Sequence, residues 1–303
     1  MYSVLNVDSR DADLLEVVGK KSKFWFEHES MGRCIFKYSR PNTGEHWAEK
    51  VVDELCVLLK IPHAKYEIAK CNNQLGSLTP IFVPHNGRLV HGNELLSKRV
   101  PGYPGNNFYQ VRQHTLKIVL AIMKSKDVHA PLHEDKEGEI NTALGYFIGY
   151  LMLDTLVANQ DRHHQNWGLI LTDDIRVHLS PTFDHAAGLG MNEVDTKRQD
   201  RLTTRDHGRS METYVGRARS ALYLTDSSKK PMHTIQAFIE AAKSDYISGE
   251  IWLSRIHDLN MNAVRDIFER IPSYLISETA IKFSMKIIEL NKERLLKLRG
   301  TLS

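Results

Sequence analysis

The spacing of apolar and polar positions changes about a third of the way along this 303-residue chain. In the first hundred residues the apolar runs are short, aromatic and β-branched. Phe24-Trp25-Phe26 and Arg33-Cys34-Ile35-Phe36-Lys37-Tyr38 flank the turn-like His28-Glu29-Ser30-Met31-Gly32, a pattern that predicts a β-hairpin. After the breaker Arg40-Pro41-Asn42-Thr43-Gly44, apolar residues recur at Trp47, Val51, Leu55 and Leu58 and stop before Pro62. That spacing predicts a helix. Residues 66–69 and 79–83 predict two further strands.

From about Asn106 the period becomes helical. Residues 107–126 read as one amphipathic helix, with Val111, Leu116, Val119, Leu120, Ile122 and Met123 on its apolar side. Residues 142–158 read as a second helix, apolar on most sides and therefore buried. Residues 192–230 are charged and polar and read as a long, partly mobile excursion. Ile281, Met285, Ile288 and Leu295 mark one face of a final helix, with Ser277 as its expected N-cap. The expectation is an α+β chain with a small β-rich N-terminal lobe, residues 1–100, and a larger helical lobe, residues 101–303.

Composition narrows the function classes. Hydrophobic residues at 42% and charged residues at 25% are ordinary for a globular protein, and excess disorder is excluded. A net charge of +3 is too small to argue for nucleic acid, although a phosphate ligand suits a locally positive cleft. The three cysteines, Cys34, Cys56 and Cys71, have no CxxC spacing, which points away from a disulfide framework or structural zinc and towards a reducing compartment. Residues 1–13 lack the apolar core of a secretory signal, and no apolar run reaches the roughly 18–20 residues of a membrane span. A soluble, cytoplasmic protein is expected.

The chemistry concentrates in residues 159–170 and 180–186. Phosphoryl transfer needs a carboxylate beside the attacking hydroxyl and oxygen ligands that hold Mg²⁺ against the phosphates. Asp161 and Asn166 stand five apart, and Asp184 follows an aromatic residue about one hairpin later. Asn166 and Asp184 both offer the hard oxygens that Mg²⁺ takes. An Asp and an Asn in a polar loop also commonly cap turns, and His163 and His164 are expected to bond the loop backbone. Lys37 ends an alternating strand from which it can reach a phosphate, with Glu49 on the following helix as its expected partner. Gly19-Lys20-Lys21-Ser22-Lys23 offers one glycine and several lysines to cover phosphates, and the GxxxxGK[ST] loop is absent.

Residues 154–168 (DTLVANQDRHHQNWG) resemble the catalytic loop of the HipA-like serine/threonine kinases. Residues 19–26 (GKKSKFWF), Phe36-Lys37-Tyr38 with Gly44-Glu45-His46-Trp47-Ala48-Glu49, residues 89–96 (LVHGNELL) and Phe183-Asp184 follow in the order of that family. The resemblance spans residues 15–300 and is to short, core-only members such as the toxin kinases of three-gene toxin–antitoxin operons. It implies a two-lobed protein-kinase-like fold and use of ATP and Mg²⁺. Asp161 would orient and deprotonate the substrate hydroxyl, Asn166 and Asp184 would hold Mg²⁺, and Glu49 would steady Lys37 on the phosphates. Gly19, Ser22 and Lys23 would belong to the phosphate loop, with Phe82 and Val83 beside the adenine.

The family's partners imply a protein substrate such as an aminoacyl-tRNA synthetase or another translation component, and an antitoxin protein, with no direct nucleic acid and no membrane. Translocation into a host cell without a cleavable signal is the other location to consider. Members often carry an autophosphorylated serine just before the loop glycine; here Glu16-Val17-Val18 stands there, and Ser22 is the candidate for autophosphorylation. Three alternatives remain at this point. They are a phosphatidylinositol-type lipid kinase, a pseudokinase, and a metal-dependent phosphohydrolase using Asp161, His163, His164, Asp184 and His185.

Overall fold

The six strands of the first sheet run β1-β5-β6-β4-β3-β2 in a computed structural model that describes residues 1–12, 14–18, 21–132 and 138–302. The side chains of residues 11, 14–18, 21 and 22 lie outside that description. The strands are β1 (Leu5–Val7), β2 (Leu14–Val18), β3 (Lys21–His28), β4 (Gly32–Tyr38), β5 (Glu67–Cys71) and β6 (Gln74–Pro80). The expected hairpin is β3–β4, turning at Gly32, whose φ of +67° suits glycine. Alternation puts Phe24, Phe26, Cys34 and Phe36 on one face, where they pack with Ala69, Cys71 and Leu78. Lys23 and Lys37 lie directly opposite each other on the other face. Helix α1 (Glu45–Leu59) packs on β5 and β6 and ends in a left-handed Lys60 before Pro62.

A second sheet, β7-β9-β10-β8, joins β7 (Arg88–His91), β8 (Val128–His129), β9 (Gly168–Leu171) and β10 (Val177–Leu179). The chain therefore changes sheets between Pro80 and Arg88, ahead of residue 100, because β7 pairs antiparallel with β9 of the later half. Helix α2 (Gly92–Arg99) follows β7 directly.

The helical part is organised by α4 (Ala143–Leu156), buried at every position as its composition predicts. It packs against α7 (Thr234–Ala242), α8 (Tyr246–Asp258) and α10 (Glu278–Leu296). Gly149 admits the Trp252 ring; a Cβ there would lie 2.3 Å from it. The expected N-cap of the last helix is present, with Ser277 accepting from the Ala280 amide at 3.0 Å.

Three expectations are corrected. The helix expected over residues 107–126 is only α3 (Leu116–Met123), because Thr115 caps its start and Gln110 adopts a left-handed φ of +61° upstream. The excursion expected at residues 192–230 contains α5 (Asp195–Thr203) and α6 (Met211–Gly216), whose Met211 and Val215 are buried against Phe283 and Ile287 of α10. The strand expected at residues 79–83 stops at Pro80. A short α9 (Met261–Glu269) lies between α8 and α10.

Candidate active site

The site is built outward from a charge inside an apolar helix. Asp154 is 1% exposed on α4, and a buried carboxylate there demands partners. Arg162, fully buried, provides them as a two-pronged fork, Nε to Oδ2 at 2.8 Å and Nη2 to Oδ1 at 2.7 Å. Burial alone would lower the Arg162 pKa, but the Asp154 charge outweighs it and holds the guanidinium ionised. The third arm, Nη1, donates to the Asn166 carbonyl at 2.7 Å. Asn159 also donates to Asp154 at 2.8 Å, and its own amide oxygen accepts from the Asp161 N–H at 3.2 Å. One buried ion pair thus fixes both ends of the loop that carries Asp161 and Asn166.

Helix α2 clamps the same loop from outside. The amides of Gly92 and Asn93 donate to the carbonyls of Trp167 and His164 at 2.9 and 2.8 Å. A Cβ at Gly92 would fall 2.3 Å from the Trp167 ring, so glycine is required for this approach. His164 contacts the Tyr103 hydroxyl at 2.6 Å, and the Trp167 indole donates to His114 at 3.0 Å. Burial lowers the His163 and His164 pKa values to about 4, so both rings are neutral near pH 7.

Asp161 and Asp184 are the partly open members, with side chains 27% and 26% exposed. Asn166 donates from Nδ2 to the Asp161 carbonyl at 2.8 Å, which turns its amide oxygen away from that carbonyl. Asp184 has a left-handed φ of +60° and is held by its own N–H, which donates to the Tyr66 hydroxyl at 2.9 Å. Lys37 pairs with Asp184 at 3.0 Å. Burial works against the ammonium, but the charges of Asp184 and then Glu49 outweigh it and raise the Lys37 pKa. His163 joins the two halves of the constellation: its Nε2 is 3.7 Å from Asp161, and it feels the charges of Asp184 and Lys37.

The partner expected for Lys37 was Glu49; the ion pair observed is with Asp184. Glu49 is 1% exposed and accepts the backbone N–H of His185 at 2.9 Å, so it steadies the Asp184 segment as well as contributing charge.

The expected nucleotide contacts fall as follows. Lys23 lies across from Lys37 on the same face of the sheet, so two cationic side chains start from neighbouring positions there. Ser22 lies in β3 with its backbone opposite Val17, not in a loop, and its side chain is outside the described residues, as is Gly19. Phe82 stacks on Phe183 at 5.6 Å, and Val83 is half-buried beside it in the crossing between sheets.

The donor set fits Mg²⁺: Asn166 and Asp184 present hard oxygens, and one or two protein oxygens are the usual share when phosphates supply the rest. It does not fit a histidine-rich metal centre. His163 Nδ1 accepts from Gln165, His164 Nδ1 meets Tyr103, and His185 Nε2 meets Thr182 at 2.8 Å. Among the described residues no cluster of three or more His, Cys, Asp or Glu side chains could hold a metal. Among them, too, no helix is long and apolar enough to cross a membrane.

Sequence reasoning missed Arg162, Tyr66 and the α2 clamp. The signal for Arg162 was present: an aspartate inside a helix apolar on every side needs a cation, and Arg162 stands eight residues on.

No protein-family model matches the chain, and no curated protein matches it. Solved structures do. The proinflammatory kinase CtkA of Helicobacter pylori aligns with a TM-score of 0.74 at 17% identity, over 99% of this chain and 98% of its own. The HipA, HipB and operator DNA complex of a toxin–antitoxin system from Shewanella oneidensis MR-1 gives a TM-score of 0.59 at 10% identity, over 93% of this chain and 67% of the matched one. At these identities the likeness is one of fold, and the fold of this chain is the α+β, two-lobed fold of the HipA-like kinases.

Proposed function

We propose that this chain is an ATP- and Mg²⁺-dependent protein kinase of the HipA-like type, which phosphorylates serine or threonine hydroxyls. The observation that carries the reading is the Lys37–Asp184 ion pair set beside a locked Asp161–Asn166 loop. In this reading the first sheet grips the nucleotide and the helical half carries the catalytic loop, close to the expected division at residue 100. Lys37 and Lys23 take the phosphates, and Phe82 and Val83 lie beside the base. Asn166 and Asp184 are the residues that would hold Mg²⁺. When bound, the ion neutralises charge on the phosphate oxygens.

The chain's own residues do the rest. Asp161 orients the acceptor hydroxyl and takes its proton as the oxygen attacks the γ-phosphorus and ADP departs. Arg162 and Asn159 keep that carboxylate in place by holding the backbone on either side. Positioning and charge are most of what phosphoryl transfer asks of a protein.

The partners follow from the fold likeness and the sequence resemblance. An antitoxin protein is the proposed regulator, since one neighbour is part of a toxin–antitoxin complex. A translation component such as an aminoacyl-tRNA synthetase is the proposed substrate, and Ser22 is the proposed autophosphorylation position. Phosphoproteomics of cells expressing wild type or Asp161→Asn tests all three levels. New serine or threonine phosphosites should appear with wild type alone, at about 10²–10⁴-fold higher rates than with the variant. The same phosphosites at the same rates in both would overturn the assignment of Asp161.

A further inference from the structure

Asp184 is tied through its backbone to the half of the chain that carries Lys37. Residues 60–66 link α1 to β5, and residues 182–185 are bonded along them. The Thr182 amide donates to the Pro62 carbonyl at 2.9 Å, and the Ala64 amide donates to the Thr182 carbonyl at 2.9 Å. The His185 amide donates to Glu49 of α1 at 2.9 Å. Between these anchors the Asp184 amide donates to the Tyr66 hydroxyl, also at 2.9 Å.

Tyr66 is itself fixed at both ends. It is 2% exposed, and its ring packs with Ala64 and with Phe183, the residue next to Asp184. Its amide donates to Asp53 Oδ1 at 3.3 Å, and Asp53 in turn meets Lys50 at 2.9 Å and His63 at 3.1 Å. Asp184 needs such a hold. Its φ of +60° lies in the left-handed region, which a residue with a Cβ keeps only where its surroundings fix it. In that conformation its Oδ2 lies 3.0 Å from the Lys37 ammonium.

We propose that Tyr66 is a positioning residue for the metal: its hydroxyl holds Asp184 in the left-handed conformation that turns the carboxylate towards the phosphate site. This rests on the kinase reading of Asp184. Tyr66 is assigned no contact with metal or nucleotide and acts through the Asp184 backbone. The Asp184 side chain can then leave Lys37 for a cation while its backbone stays in place. Asp184 is anchored on α1 and the segment after it, and Asn166 on the loop held by Arg162. The two oxygens that would hold Mg²⁺ therefore come from different halves of the chain.

The test is calorimetric titration of ATP, with and without Mg²⁺, into wild type, Tyr66→Phe, Asp184→Asn and the double variant. Phenylalanine keeps the ring and removes only the acceptor oxygen. Tyr66→Phe should reduce the gain in ATP affinity that Mg²⁺ brings by about three- to ten-fold, the scale of one hydrogen bond. Its ATP affinity without Mg²⁺ should match wild type, whereas a general loosening of the fold would lower both. In Asp184→Asn, adding Tyr66→Phe should change nothing further. Amide hydrogen exchange of wild type is a check that needs no variant: the Asp184 N–H should be protected before any ligand is added. Failure of Mg·ATP to bind wild type overturns the kinase reading and the positioning role with it. Mg·ATP binding with an undiminished Mg²⁺ gain in Tyr66→Phe overturns the positioning role alone. So does equal weakening with and without Mg²⁺, a further loss in the double variant, or rapid exchange of the Asp184 amide in wild type.

Discussion

The Asp161–Asn166 loop and the Lys37–Asp184 pair sit side by side and are built on opposite principles. The loop is saturated with internal partners. Arg162 spends two arms on Asp154 and one on Asn166, and Asn166 spends its amide on Asp161. Lys37 and Asp184, by contrast, are each about a quarter exposed and joined by a single ion pair. In the kinase reading proposed above, Mg·ATP would offer both of them better partners, phosphate oxygens for the lysine and a divalent cation for the carboxylate. The first region is fixed before any ligand arrives; the second is a pair whose members are set to exchange. An ion pair with no solvent access is costly to part, which suits a scaffold and would hinder a ligand site.

The largest effect is expected where the scaffold is cut. Arg162→Ala leaves Asp154 charged and unpartnered inside α4, and should cost about 3–5 kcal/mol of stability. Chemical denaturation of the two proteins checks this. The double variant Asp154→Ala/Arg162→Ala should lose much less than the two single losses added together. Additive losses would show that the fork is not one unit.

Acid should loosen the same region by a different route. His46, His163 and His164 are held neutral by burial, with pKa values lowered to about 4 from 6.5. Below about pH 6.5 the unfolded chain takes up protons that the folded chain refuses, so stability falls as pH drops from 6.5 towards 4. Above 6.5 these groups contribute no slope. Urea midpoints at pH 7, 6 and 5 should decline steadily, and His163→Gln should flatten part of the decline. A constant midpoint over that range contradicts the burial assigned to these rings.

The smallest effect concerns the exchangeable pair. Lys37 and Asp184 keep part of their solvent contact, so a double-mutant cycle on stability should give a smaller coupling than the Asp154–Arg162 fork does. If the proposed kinase reading holds, the same cycle on Mg·ATP turnover should be far from additive, because either single change would disable the nucleotide site. Strong coupling in stability would mean that the pair is scaffold after all.

Much of this was legible in the sequence, and the failures have physical causes. The β3–β4 hairpin was readable because two aromatic and β-branched runs flank a turn, and within them Phe24, Phe26, Cys34 and Phe36 alternate with less buried positions. Helix α4 was readable because fourteen successive residues are buried and mostly apolar. Asp161, Asn166, Asp184 and Lys37 were singled out from spacing and order; Lys37 and Asp184 meet in an ion pair, and Asn166 bonds the Asp161 carbonyl. The partner of Lys37 was not legible. Glu49 and Asp184 are both carboxylates within reach, and backbone geometry decides between them: Glu49 is taken by the His185 amide while the left-handed turn at Asp184 faces the lysine. Residues 107–115 misled because a buried Val111 precedes the apolar run of α3, whereas the segment is held by side chains on the distant Asp161–Asn166 loop. Contacts of that kind leave no periodic trace.

The most direct test of the exchange is a calorimetric titration of ATP into wild type and Asp184→Asn, each with and without Mg²⁺. The account predicts that Mg²⁺ strengthens ATP binding to wild type at least ten-fold, and that most of this gain disappears in Asp184→Asn, where a neutral amide replaces the carboxylate. Equal affinity for ATP with and without Mg²⁺ in wild type, or an undiminished gain in Asp184→Asn, would contradict it.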